Sequence, residues 1–213
     1  MTRKENARMS EEFAIMEQRP AEPALHQSSL AAVDKSGIEG PAAISLMETG
    51  DSGHLVLRGV PDVLEGPVKT VIDLELPMKP LTSASDENSC IRWVSPDEWL
   101  LTVPGPRTFS MESGLRNAIL GHAAIVNVSG GQTILHLSGE HAITVLMKST
   151  GYDVHENNFP PGKVVTTTLG QAQTLMRRIT ADQFELVIRR SFADYIWAWL
   201  RDAAGEFGVK SVT

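Results

Sequence analysis

One stretch of the chain comes back. Arg92-Trp93-Val94-Ser95-Pro96-Asp97-Glu98-Trp99-Leu100-Leu101-Thr102-Val103 is answered 85 positions later by Arg177-Arg178-Ile179-Thr180-Ala181-Asp182-Gln183-Phe184-Glu185-Leu186-Val187-Ile188. Apolar residues match at Val94/Ile179, Leu101/Leu186 and Val103/Ile188, and a ring matches a ring at Trp99/Phe184. A hydroxyl followed two residues later by Asp (Ser95/Asp97, Thr180/Asp182) is turn chemistry, because such side chains bond nearby backbone N–H groups. Each copy therefore predicts strand, short turn, strand. At the same offset Met111, Leu115 and Ala118 answer Ile196, Leu200 and Ala203, and this spacing of four then three is one helical face. A second correspondence, at offset 80, sets Ile44–Glu48 and His54–Gly59 against Ile125–Val128 and Thr133–Leu137, with Gly50 on Gly130 and Gly59 on Gly139. The predicted class is α+β, with internally duplicated hairpin–helix units on mixed or antiparallel sheets. The halves are 44–122 and 123–213, forming one compact unit behind an arm at 1–43.

The arm stands apart in composition. It holds Pro20, Pro23 and Pro41, many charges and few large apolar side chains. Ser10 is positioned to cap a short helix through Gln18; otherwise the segment is a tail, or an arm that orders against a partner.

Elsewhere the pattern is less regular. A helix near Asp62 to Val68 looks weak, because Gly66-Pro67 interrupts it. Its counterpart is stronger, with Ser138 as cap, Glu140 in the first turn, and Ala142, Val145 and Leu146 on one face. Residues 81–90 read as a polar loop and Phe159-Pro160-Pro161-Gly162 as a rigid corner. A β-branched strand follows at Val164–Leu169, and the final helix runs from about Ser191 to Phe207.

A net charge of −7 argues against nucleic acid or an anionic membrane as partner, since both call for a basic patch. No apolar run approaches the ~20 residues of a membrane span, and Met1 to Glu12 lacks a signal-peptide core. The single cysteine, Cys90, has no intrachain partner. These features together predict the reducing cytoplasm.

Catalytic chemistry is hard to find. Neither G-x-G-x-x-G nor G-x-x-x-x-G-K-[ST] occurs. His136 and His141 are badly spaced as metal ligands, and Cys90 has no histidine near it in sequence. Asp97 and Asp182 are explained as turn formers. Asp153-Val154-His155-Glu156 is a polar cluster that completes no triad. Catalytic, cofactor-binding and metal residues are accordingly predicted to be none.

One asymmetry between the copies points outward. Tyr195 and Trp197 lie off the Ile196/Leu200/Ala203 stripe, and their counterparts Ser110 and Glu112 are polar. Either the core is wider in the second half, or the rings form a partner interface with Arg189 and Arg190 at its rim.

These strings resemble the gamma subunit of heterotetrameric sarcosine oxidase. The likeness is carried by Leu57-Arg58-Gly59, the Arg92–Leu101 stretch, Val128-Ser129, Phe159-Pro160-Pro161-Gly162, Arg190-Ser191-Phe192-Ala193-Asp194-Tyr195 and Trp199-Leu200, and it runs from about Leu30 to Gly208. The resemblance implies the fold of the aminomethyltransferase folate-binding domain. It also implies a non-catalytic subunit of a complex that oxidatively demethylates sarcosine to glycine, yielding hydrogen peroxide and 5,10-methylenetetrahydrofolate or formaldehyde. FAD, FMN, NAD and zinc would then reside in alpha, beta and delta partner subunits, with none in this chain. Asn127 stands where that family would suggest Asp before Val-Ser, which weakens the idea of a retained folate carboxylate.

The competing expectation is a stand-alone tetrahydrofolate-binding aminomethyltransferase-like protein. That class generally carries a further C-terminal domain, whereas this chain reaches Thr213 soon after the last helix. A generic scaffold without an enzyme partner is the third possibility.

Overall fold

The computed structural model describes residues 28–31, 33, 36 and 43–212, so the expected helix from Ser10 to Gln18 lies outside the described residues. In order the elements are β1 (Ile44–Glu48), β2 (Ser52–Gly59), α1 (Pro61–Ile72), β3 (Ser83–Ser85), β4 (Cys90–Ser95), β5 (Glu98–Pro104), α2 (Thr108–Ala118) and β6 (Ala123–Asn127). Then come β7 (Gln132–Ser138), α3 (Ala142–Ser149), β8 (Val164–Leu169), β9 (Ala172–Arg178), β10 (Gln183–Arg189), α4 (Ala193–Ala203) and β11 (Val209–Val212). The class is α+β.

Two sheets form, one in the order β11-β1-β7-β10-β9-β8 and the other β3-β4-β5-β2-β6. Among the described residues only β1 and β11 pair in parallel, and the other ladders are antiparallel. Two of the expected hairpins form, β4–β5 around Pro96 and β9–β10 around Ala181. The other two do not. β1 pairs with β7 and β11, while β2 pairs with β5 and β6. The glycine-containing connections Thr49–Asp51 and Val128–Gly131 carry the chain from one sheet to the other. β1 thus joins the sheet of β7 to β11, and β6 joins the sheet of β2 to β5. When each strand is exchanged for its counterpart (β1 for β6, β2 for β7, β3 for β8, β4 for β9, β5 for β10), the order β1-β7-β10-β9-β8 becomes that of the second sheet.

The turns at the two hairpin tips are built alike. Ser95 Oγ donates to Asp97 Oδ1 and Thr180 Oγ1 to Asp182 Oδ1, both at 2.9 Å. The carbonyl of Asp97 accepts the N–H of Gly59 at 3.0 Å, and that of Asp182 accepts the N–H of Gly139 at 3.1 Å. Strand alternation then sorts side chains into layers. On β5, Trp99, Leu101 and Val103 join Leu64, Val68 and Leu115 of α1 and α2 in one core. On β10, Phe184, Leu186 and Ile188 join Val145, Leu146, Ile196 and Leu200 of α3 and α4 in another. The opposite faces meet in a seam, where Leu100, Ile134 and Val187 pack together beside Val56, Val94 and Leu175. Helices thus cover the outer faces and the two sheets share the inner one.

Four expectations need correction. α1 is continuous through Pro67. Proline costs about 3 kcal/mol in a helix interior, but α1 buries Leu64, Val68 and Ile72, each worth roughly 1.5–3 kcal/mol. α3 starts at Ala142 rather than behind a Ser138 cap, because β7 keeps its ladder through Ser138. Gly139 makes the exit at φ 128°, where a Cβ would stand 2.0 Å from the carbonyl oxygen of Ala43. Within the 81–90 segment, β3 pairs with β4 and Cys90 already belongs to a strand. Finally, the described part of the arm is docked: Leu30 is fully buried in the α3/α4 core, and Ser28 and Ser29 both donate to the Glu48 carboxylate.

Candidate functional site: the mouth of the last helix and the seam between the sheets

Of the four residues expected at an interface, the structure keeps three at the surface. Arg189 ends β10, and Arg190 opens a single 3-10 turn, Arg190–Phe192, that leads into α4. The two arginines line a cleft of about 610 Å³ with Ser28, Ser29, Gly130 and Gly131. Tyr195 is 36% exposed, and its hydroxyl accepts the N–H of Gln171 at 3.0 Å.

Trp197, expected at the surface, lies in the core instead. It is 1% exposed and packs in the α3/α4 core. The buried stripe of α4 is Ala193, Ile196, Trp197 and Leu200, spaced three, one and three. A globular helix buries a band wide enough for adjacent positions to share it. The indole is packed in the core, whereas its counterpart Glu112, 19% exposed in its side chain, bonds Arg116 and Asn127.

Two aromatics that the repeat comparison passed over are exposed instead. Phe192 is 41% and Trp199 37% exposed. With Tyr195 they are spaced three and four, so all three lie on one outward stripe; the Tyr195 and Trp199 rings are 6.0 Å apart. The signal was present in the sequence as a second apolar stripe beside the first. Beneath it the Gly170 turn (φ 55°) needs its glycine, because a Cβ would lie 2.6 Å from the Tyr195 hydroxyl and 3.2 Å from the Trp199 ring.

The second candidate was not foreseen. In the seam, Arg92 and Arg177, which are repeat counterparts, converge on Glu185. Arg92 Nε donates to Glu185 Oε1 at 2.7 Å, and its Nη2 lies 2.6 Å from the same oxygen but without hydrogen-bond alignment. Arg92 Nη1 donates to Thr102 Oγ1 at 2.9 Å. Arg177 Nε stands 3.7 Å from Glu185 Oε1, and its Nη1 donates to the Cys90 sulfur.

Burial pushes the Glu185 carboxyl up, but the Arg92 and Arg177 charges outweigh it and hold the group below the usual range. Burial pushes the Cys90 thiol up, against the opposing arginines, so it stays protonated near neutrality. His54, fully buried, is lowered to about 4 by burial first and the Arg92 charge second. His136 is lowered by burial, partly offset by Glu185. These polar groups occupy inner-face positions whose counterparts are apolar: Leu100 answers Glu185, Val56 answers His136 and Ile134 answers His54.

The remaining sequence candidates are local structure. Asp97 and Asp182 form turns as described. Asp153 accepts the N–H of His155 at 3.0 Å within its loop. His141 stacks on Phe207 at 4.4 Å and has no part in a site with His136. Asn127 Oδ1 accepts the Ser129 N–H and hydroxyl, closing the turn after β6. Among the described residues no group of three or more His, Cys, Asp or Glu side chains is arranged to hold a metal. No helix among them is long and apolar enough to cross a membrane.

The chain and its fold are similar to known proteins. A sarcosine oxidase subunit gamma from Corynebacterium sp. (strain U-96) is 28% identical over 193 residues, spanning 89% of this chain and 92% of that protein. A second, from Corynebacterium sp. (strain P-1), is 31% identical over 134 residues, or 62% and 64% of the two chains. A chain of the solved heterotetrameric sarcosine oxidase from Corynebacterium sp. U-96, in complex with pyrrole 2-carboxylate, superposes with a TM-score of 0.78 at 27% identity. That match covers 89% of this chain and all of the other. Glycine cleavage system aminomethyltransferase T from Bartonella henselae matches at TM-score 0.61 and 15% identity, over 80% of this chain and 48% of that one, which shows a shared fold. The family model described as the sarcosine oxidase gamma subunit family matches residues 58–206, and the chain belongs to that family.

Proposed function

We propose that this chain is the auxiliary, non-catalytic gamma subunit of a heterotetrameric sarcosine oxidase. The observation that carries the proposal is its match, over the full length of the other chain, to one chain of such a heterotetramer. In this reading the complex oxidatively demethylates sarcosine to glycine in the cytoplasm, giving hydrogen peroxide and 5,10-methylenetetrahydrofolate or formaldehyde. FAD, FMN, NAD and zinc are held by the alpha, beta and delta partners. The duplicated design, an arm at 1–43 with halves at 44–122 and 123–213, belongs to the same reading and is supported by the corresponding strand orders.

The docking surface is the outward stripe of α4, Phe192, Tyr195 and Trp199, with Arg189 and Arg190 at its rim. Aromatic and arginine side chains are the enriched anchors of protein interfaces, and here both kinds lie next to each other at the surface. The Tyr195 ring is tied to the Gln171 backbone before any partner arrives, which lowers the ordering cost of binding.

The test is assembly. Trp199→Ser or Tyr195→Ala should leave the unfolding temperature of the full chain nearly unchanged and reduce its recovery with the other subunits. Undiminished recovery of both variants would place the interface elsewhere. The stand-alone aminomethyltransferase reading rests on the shared fold alone, since that match is 15% identical.

A further inference from the structure

Two turns pack against each other away from α4. One follows α1 and leads into β3; the other is the proline corner that leads into β8. Together they line a cleft of about 570 Å³. The exchange of β3 for β8 sets Ser83 on Val164 and Leu81 on Gly162. The two turns also bond each other. The N–H of Val164 donates to the Leu81 carbonyl and Ser83 Oγ donates to the Gly162 carbonyl, both at 2.9 Å. One residue on, the carbonyls of Thr82 and Lys163 accept the N–H groups of Trp93 and Arg178 at 3.0 and 3.2 Å.

This geometry requires a left-handed residue in each turn, and the two residues meet it unequally. Gly162 has φ 83° and Leu81 has φ 62°. Glycine adopts that region freely, whereas a leucine there presses its Cβ on the backbone. Packing does not offset the strain, because Leu81 is exposed and belongs to neither helix-covered core nor to the seam. Backbone strain that the fold does not use is a mark of a binding surface.

The surroundings say what would bind. Pro80, Pro160 and Pro161 line the cleft beside Leu81, and Met78 is exposed next to it. The prolines fix this apolar surface before any contact is made, which lowers the ordering cost of binding. The charged side chains lining the cleft are two lysines, Lys79 and Lys163. Lys163 Nζ donates to the Asn158 carbonyl, a neutral partner that leaves its charge uncompensated. The acids of the adjacent loop, Asp153 and Glu156, do not line the cleft. In a chain of net charge −7 this surface is locally cationic.

Taking the assembly role above as given, we propose that this cleft is a second docking surface, which takes an acidic segment of another subunit. That segment sets an apolar side chain against Leu81 and its carboxylates against Lys79 and Lys163. Charge complementarity selects the partner segment, and the held leucine anchors it.

The experiment is a competition. Tagged parent and variant full chains are offered to a limiting amount of the other subunits, and the captured fractions are compared beside thermal melts of each chain alone. Asparagine accepts the left-handed region, so Leu81→Asn should melt within about 4 °C of the parent. Its capture should fall roughly tenfold. Lys79→Glu should fall roughly fivefold at low salt and approach the parent at high salt. A Leu81→Asn melt lowered well beyond that range would mean that the side chain serves the fold. Capture equal to the parent in either variant would mean that no acidic segment seats here. Each of these results overturns the docking role of the cleft. Capture lost in Trp199→Ser but kept in both cleft variants strikes this cleft alone, whereas a parent chain that captures no partner overturns the assembly role and this one with it.

Discussion

Arg92 and Glu185 stand 93 positions apart and meet across the two sheets, Arg92 Nη2 2.6 Å from Glu185 Oε1, with the arginine fully buried. The repeat explains why the contact is lopsided. Arg92 recurs as Arg177, but Glu185 answers Leu100, so two cations share one carboxylate. Glu185→Ala would leave both guanidiniums in a low-dielectric seam without a counter-charge. The expected loss is about 3–5 kcal/mol in denaturant unfolding. A triple variant, Arg92→Met, Arg177→Met and Glu185→Leu, removes all three charges and should recover most of it. A triple variant no more stable than Glu185→Ala would mean that the ion cluster does not set the cost.

His54 gives the chain an acid limit. Its folded value is about 4, whereas an unfolded histidine titrates near 6.5. Between those values the unfolded state binds more protons, so stability falls as pH falls. The loss begins near pH 6.5, is complete below about 4, and amounts to about 3 kcal/mol. The lowering of His136 adds in the same direction. Unfolding free energies measured across this window should fall less steeply for His54→Gln, which is neutral throughout. Parallel curves for the two proteins would remove His54 from the account.

Trp197→Ala should cost about 3–5 kcal/mol of stability, as large-to-small changes do in a packed core. Trp197→Glu should prevent folding, since it places a carboxylate in an apolar core. The circular-dichroism melt of the full chain reads both. A melt unchanged from the parent would mean the indole is not part of the core.

Much of the architecture was legible in the residues. The 85-residue offset located both hairpins, because Ser95/Asp97 and Thr180/Asp182 are local signals that survive in any tertiary setting. The exchange of β1 and β6 between sheets was not legible. A glycine connection between two apolar strands looks the same whether they pair with each other or part, and only long-range packing decides. For Trp197 the residues left two readings open, a wider core or an interface, and the structure has it in the core. The repeat aligned Ile196 and Leu200 with Met111 and Leu115 correctly, but it gave no width for the stripe. The ion cluster of the seam was invisible because its parts, Arg92, Arg177 and Glu185, come from three strands, with 93 positions between the first and the last. The one visible clue was a charged residue, Glu185, at an inner position where its counterpart is leucine.

The chain is proposed to work as a colourless part of a flavin-bearing assembly. The most direct measurement is recovery of the tagged full chain from cells that also make the other subunits, followed by an absorption spectrum and a sarcosine-dependent peroxide assay. The same is done on the chain produced alone. Flavin absorbance and peroxide formation are expected only in the co-purified material, both reduced for Trp199→Ser. Flavin or sarcosine oxidation in the chain produced alone, or a tagged chain that brings down no flavin-bearing partner, would contradict it.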